Sequence, residues 1–408
     1  MKTVMRLVAV VSVLAVLSIV SSVSAQDWPQ WRGVNRDGRV TDFKAPAKWP
    51  QELTRKWEVT VGAGDATPAL VDGKLYVFTR QGDEEIIRCM DAGSGKVLWA
   101  NKYTAQSVTG PATSHPGPRS SPTVANGRVV TMGVTGILSC LDRNSGKVLW
   151  RKEEFANTVP QFYVGMSPAI VDNKCIAHFG GPDAGEIIAF EIDSGKEVWR
   201  WNGDGPAYGS PVLVEIDGVR QLVTQTLNNI VSIALTDGAL LWQIPTPAQK
   251  RFFNSATPIV NGRIVIFSGQ GEGTKAFTFQ KQGTGFTVQA LWSNAELGTG
   301  YNTPVLKNGL LYGLSDRGRL YCMNAKTGET VWADETSHKN FGSILDAGSV
   351  ILALPSDPEL IAFTPSGEGY NELARIKIAE TPVYAHPVIA GNMIYVKDEE
   401  KLTLWAIE

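Results

Sequence analysis

Chemistry needs nucleophiles, bases or metal ligands at workable spacings, so the scarce reactive residues are weighed first. The histidines are His115, His178, His338 and His386, and none forms an HxH or HxxxH pair that would turn two imidazoles toward one metal ion. His178 stands in an apolar run and reads as a core residue. His386 fills an Ala-His-Pro position where sibling segments carry Ser or Thr. The cysteines are Cys89, Cys140, Cys175 and Cys322, with no CxxC knuckle or CxxCH haem site. Three of them, Cys89, Cys140 and Cys322, recur at one repeat position and read as small buried hydrophobes rather than disulfide partners. No GxSxG elbow or phosphate-cradling Walker loop is present. The glycine-rich Gly269–Gly273 run joins two strand-like segments and reads as a loop. Asp91, Asp142 and Asp193 precede glycine turns and read as acceptors of turn hydrogen bonds. No catalytic, metal or cofactor residue is assigned.

Binding residues are easier to place. The residues three places before each strand-opening Pro are Asp65, Arg119, Gly165, Tyr208, Ser255, Tyr301 and Tyr384, with Asn340 taken for a degenerate copy aligned on Ser343. Tyr and Arg are large anchors with polar ends, favoured at recognition hot spots. Gathered at one rim, Asp65, Arg119, Tyr208, Tyr301, Asn340 and Tyr384 would form a binding funnel; the alternative is that they pack a channel mouth. Trp28, Trp31 and Arg32 form a second candidate patch, or else an N-terminal tail docked over one face.

These residues belong to a repeat. Ser/Thr-Pro opens an apolar strand, Asn-Gly or Asp-Gly turns it, two more strands follow, and Ser/Thr-Gly-Lys leads to a Trp. One copy runs through Ser121-Pro122, Asn126-Gly127, Leu141-Asp142, Ser145-Gly146-Lys147 and Trp150. In five copies the Trp stands four places after the turn glycine, as at Gly95/Trp99 and Gly328/Trp332. The fifth copy carries extra residues between Gly285 and Trp292, an elongated hairpin. Each copy predicts a four-stranded antiparallel meander. A meander alone leaves both faces unsatisfied, so the copies must stack, and radial stacking makes a propeller.

Counting the degenerate copy from Phe341 to Ala379, the expectation is an all-β, eight-bladed propeller, with a seven-bladed ring as the alternative. The last copy stops before its Trp strand, while Arg55-Lys56-Trp57-Glu58-Val59 precedes the first copy as an orphan strand. The two termini would complete one blade and close the ring. The predicted organisation is an export signal at 1–25, an N-terminal extension at 26–53 and the propeller at 54–408.

The repeat resembles the PQQ-like (pyrrolo-quinoline quinone) β-propeller family, shared by quinoprotein alcohol dehydrogenases and by the BamB propellers of outer-membrane assembly. The opening Asp27-Trp28-Pro29-Gln30-Trp31-Arg32-Gly33 is also similar to the start of many exported PQQ-like proteins. The resemblance implies fold more than activity. Dehydrogenases of this kind stack the quinone against two adjacent cysteines and hold calcium with carboxylate and amide oxygens; no two cysteines are adjacent here, and the chain is shorter than those enzymes. No cofactor is therefore expected.

Lys2, Arg6 and the apolar run from Leu7 to Val20 read as a signal peptide cut near Ala25/Gln26, with no lipobox cysteine behind it. Residues 1–25 hold two bases and no acid, so their loss takes the net charge from −2 to −4, which gives no footprint for nucleic acid or an anionic membrane. The functional expectation is an exported, periplasmic or secreted, non-catalytic scaffold for protein–protein binding. It would lack a transmembrane segment once mature, would act as a monomer or in a hetero-complex, and would have another exported or envelope protein as partner. The alternatives are a PQQ- and calcium-dependent oxidoreductase or quinone-binding relic, and a glycan or small-ligand binder using the channel.

Overall fold

A computed structural model describes residues 27–246, 254–283 and 285–408, and the signal-peptide reading lies outside them. The strand turns fall where Asn-Gly and Asp-Gly place them. Asp72, Asn126, Asp217 and Asn308 all take positive φ, between 50° and 52°, each followed by a glycine that does the same. This backbone joins antiparallel strands with a two-residue turn.

The strands so joined make eight four-stranded antiparallel sheets among the described residues. Blade 1 comprises Ala69–Val71, Lys74–Gln81, Glu84–Asp91 and Val97–Thr104; blades 2 to 7 follow in chain order from Thr123, Ala169, Val212, Ile259, Val305 and Gly342. Blade 8 takes Val388–Ala390, Met393–Lys397 and Lys401–Ala406 from the C-terminus and Thr54–Thr60 from near the N-terminus. Thr54 pairs with Ala406 and Thr60 with Lys401, so the ring closes as expected. The elongated fifth copy is a hairpin of two ten-residue strands, Gly273–Gln282 and Gly285–Asn294.

The repeated Trp holds neighbouring blades together. Trp57, Trp99, Trp150, Trp199, Trp292 and Trp332 each donate the indole N–H to a carbonyl of the next blade, at Ala92, Arg143, Ile192, Leu235, Ala325 and Ser366, over 2.7 to 3.2 Å. Five of these rings lie on the next blade's turn glycine, as Trp57 lies on Gly95 and Trp150 on Gly195. The glycine is needed twice, for its positive φ and for the space a Cβ would take from the ring. Trp242 differs because the fifth copy lacks the compact glycine turn: it bonds Gln221 of its own blade at 2.9 Å and packs on Phe279, centroids 4.1 Å apart.

The turn carboxylates need one correction. Asp91 and Asp142 accept the N–H groups of Ser94 and Ser145 at 2.8 and 2.9 Å, as expected. Asp193 sits two residues further along its turn. Glu191 takes the turn position and accepts the Ser194 hydroxyl at 2.6 Å, while Asp193 pairs with Arg128 at 2.7 Å.

The Ser/Thr-Pro openings line the channel and link the blades circumferentially. Backbone N–H groups of Thr67, Ser121 and Ser167 donate to the hydroxyls of Ser121, Ser167 and Ser210, each in the following blade, and Thr257 donates to Thr303, over 2.9 to 3.1 Å. His386 N–H donates to Thr67 Oγ1 at 3.0 Å and carries the pattern across the seam. No helix among the described residues is long and apolar enough to cross a membrane.

Candidate functional site

Residues 27–44 enter the channel and touch every blade. Trp28 exchanges backbone hydrogen bonds with Leu70, Pro29 accepts from Val124 N–H, and Val40 N–H and Gly38 carbonyl pair with Asp346. Trp31 donates to Thr257 Oγ1 at 3.0 Å and meets His386 edge-on, centroids 4.5 Å apart. Arg32 donates to the Thr303 and Pro304 carbonyls. Arg36 donates to those of Ser167, Pro168 and Pro211, which joins blades 3 and 4. Asp42 accepts from Gly391 N–H at 2.8 Å. The docked-tail reading is thus the observed one. Trp28 and Arg32 are buried within the molecule and do not form a surface patch; Trp31 faces open space.

That space is a cavity of about 370 Å³ on one side of the tail, with Trp31 in its wall. Asp65, Arg119, Gly165, Tyr208, Ser255, Tyr301 and Tyr384 all line it, as the repeat position implied. Asn340 does not: its amide faces the Asp316 carbonyl at 3.5 Å. Blade 7 has Ile344 where its siblings carry Pro, and three places before Ile344 is Phe341; Asn340 comes of starting the count at Ser343, one residue too early. Phe341 holds the equivalent position and lines the cavity. One repeat position in each of eight blades therefore builds the wall.

The polar part is organised around Arg119. Its guanidinium donates to the Phe162 carbonyl and, at 2.8 Å, to the His115 carbonyl, and burial lowers its pKa. Asp65, the one carboxylate in the lining, pairs with His115 Nδ1 at 2.7 Å. Tyr208 accepts Phe162 N–H at 3.1 Å. Desolvation raises the pKa of Tyr208, Tyr301 and Tyr384, so all three are neutral hydroxyls. The apolar part is aromatic. Tyr301 stacks on Phe341 at 4.0 Å and 8°, Tyr384 meets Phe341 edge-on, and His115 meets Tyr384 at 4.6 Å.

Sequence reasoning missed His115, Phe162 and Phe341. Only Phe341 carried a usable signal, its place in the repeat; His115, with the short helix Gly110–Ser114, and Phe162 lie in long inter-blade connections outside the repeated strands. The remaining histidines are structural. His178 Nε2 bonds the Asp204 carbonyl at 3.0 Å, and burial takes its pKa down to about 4. His338 pairs with Asp334 at 3.0 Å in the interior.

The cavity offers little of a calcium–quinone site. Its single carboxylate is already engaged by His115, and the four cysteines are buried and separate, so no adjacent pair can stack on a quinone ring.

Comparison with known proteins follows this geometry. A family model described as outer membrane protein assembly factor BamB matches residues 36–202 and 83–334. BamB of Yersinia pestis is 24% identical over 66% of this chain and 69% of its own. Quinohemoprotein alcohol dehydrogenase ADH-IIG of Pseudomonas putida is 28% identical over 34% of this chain, but the match spans only 19% of that enzyme. Among solved structures, BamB of Moraxella catarrhalis aligns with a TM-score of 0.66 at 16% identity, covering 87% of this chain and all of that one. The quinohemoprotein alcohol dehydrogenase of Comamonas testosteroni aligns at 0.67 and 14% identity, covering 93% of this chain and 80% of that one.

Proposed function

This chain belongs to the BamB family of β-propellers, and we propose that it works as an exported, non-catalytic scaffold whose aromatic cavity receives a protruding part of a protein partner. The observation that carries this reading is the wall itself: Arg119, Tyr208, Tyr301 and Tyr384, drawn from four blades, converge on one blind cavity backed by Trp31. Rigid aromatic rings with polar tips and a desolvated guanidinium are what binding hot spots are made of, because they offer much contact area at little entropic cost. A cavity of about 370 Å³ accommodates one or two side chains rather than a folded domain. Export rests on the basic start and apolar run at residues 2–20, and a place in the envelope accords with relatives named as outer membrane protein assembly factors.

The test is photo-crosslinking in the native envelope from a reactive residue at Ser255, in the cavity wall, against a control at Leu373 on an outer strand. A protein captured from 255, absent from 373 and lost on Arg119→Ala supports the scaffold. Titration of the purified chain with PQQ and calcium, followed by a dye-linked alcohol oxidation assay, addresses the enzyme alternative; binding with turnover would overturn the non-catalytic reading. The flat Tyr301–Phe341 stack favours a second reading, a glycan or small ligand held by the same wall. Its signature is saturable quenching of Trp31 fluorescence by a sugar.

A further inference from the structure

The tail closes a second cavity on its other side, of about 320 Å³, lined by Arg32, Arg36, Asp37 and Arg39 together with the inner strands of blades 4 to 6. Its charges are unbalanced. Arg32 and Arg36 are 1% and 3% exposed, yet among the described residues they donate only to neutral oxygens: backbone carbonyls and the Gln30 amide. Arg32 Nε is buried with no partner among the described residues. Burying a guanidinium without a counter-charge is costly, and carbonyl dipoles offset that cost only in part. Desolvation accordingly lowers Arg32 to about 10 and Arg36 to about 9. Arg39 is 60% exposed at the side chain and lies 3.7 Å from Asp346, a carboxylate it shares with Lys307 at 2.7 Å. Asp37, whose Oδ1 accepts the Arg39 N–H at 3.1 Å, is the one acid in the lining. Three guanidiniums against one carboxylate leave two positive charges.

We propose that this second cavity is a binding site for a tetrahedral dianionic oxyanion of the phosphate class. Such an ion balances the surplus charge and offers oxygens to the exposed fork of Arg39, the geometry in which arginine binds oxyanions best; Arg32 and Arg36, whose N–H groups are held by carbonyls and the Gln30 amide or lie out of solvent reach, act on it through their charge. Seated there, it would clamp the tail to blades 4 to 6.

The test is calorimetric titration of the full chain with inorganic phosphate, and in a second arm with glycerol phosphate, at constant ionic strength. One saturable site per chain is expected. Arg39→Ala removes an attraction and should weaken affinity roughly fivefold, whereas Asp37→Asn removes a repulsion and should tighten it roughly threefold, the sizes expected for partly screened charges. Opposite shifts from two neighbouring changes cannot come from general destabilisation. Tighter binding of glycerol phosphate assigns the site to an organic phosphate, and equal binding assigns it to the free ion. No saturable heat up to about 10 mM phosphate, a threshold affinity of only a few kcal/mol, or an affinity that neither substitution moves, would overturn the proposal.

Discussion

The backbone N–H of His386 and the hydroxyl of Thr67, 319 residues apart in the chain, meet at 3.0 Å across the seam between blades 8 and 1. The bond leaves the inner edge of blade 8, the opposite side of that sheet from the strand pairing that closes the ring, and both groups are buried. Thr67→Val keeps the side-chain shape and leaves the His386 N–H without an acceptor. The expected loss is about 1 to 3 kcal/mol, the usual cost of orphaning a buried donor, and Thr67→Ser should restore most of it. Urea unfolding of the three proteins measures both.

The turn glycines under the Trp rings admit no side chain. Gly195 has φ of 69°, and a methyl there would stand 2.8 Å from the Trp150 ring. Gly195→Ala therefore combines backbone strain with overpacking and should cost about 2 to 4 kcal/mol. Gly73→Ala, at a similar φ of 68° with nothing within 4 Å, should cost only the strain, about 1 kcal/mol. Thermal unfolding of the pair separates the two effects.

Stability should fall with acid through the histidine range. Burial holds His178 at about 4 and His386 well below 6.5, so between those values and 6.5 the unfolded chain takes up protons that the folded chain refuses. The unfolded state is then favoured as pH drops. His178 by itself should account for about 3 kcal/mol between pH 6.5 and 4. Stability measured across that interval should slope less steeply in His178→Gln, whose amide can still donate to Asp204.

The cysteines should be silent in the folded protein. All four are buried, and burial drives Cys140 up to about 12 and Cys322 up to about 11, with Cys89 and Cys175 raised as well. Thiolate is the reactive form, so a thiol reagent at pH 8 should label none of them natively and four per chain in guanidinium. Fast labelling of any one in the native state would contradict the burial described.

Local pattern carried a large part of the architecture, because turn chemistry acts within two residues and the Trp–Gly spacing within four. The same counting reached the cavity wall at Asp65, Arg119, Tyr208, Tyr301 and Tyr384, since a propeller places equivalent residues at equivalent radii. It failed at Asn340, where the count starts from Ser343 instead of Ile344, which holds the place of the Pro, and at Asp193, where the turn was aligned two residues late. His115 and Phe162 carry no repeat signal; their position depends on how two inter-blade connections, 105–122 and 153–168, meet over Arg119.

From sequence alone came an all-β ring of eight blades, its closure by both termini and one rim of recognition residues, all consequences of short-range periodicity. Tertiary structure alone decided the path of residues 27–44. Arg32 and Arg36 find only the Asp37 carbonyl and the Gln30 amide close by in the chain; they go into the channel because carbonyls of blades 3, 4 and 6 converge there only after the ring has closed. That convergence divides one channel into an aromatic cavity and a cationic one, a division between elements far apart in the chain that no repeat unit encodes.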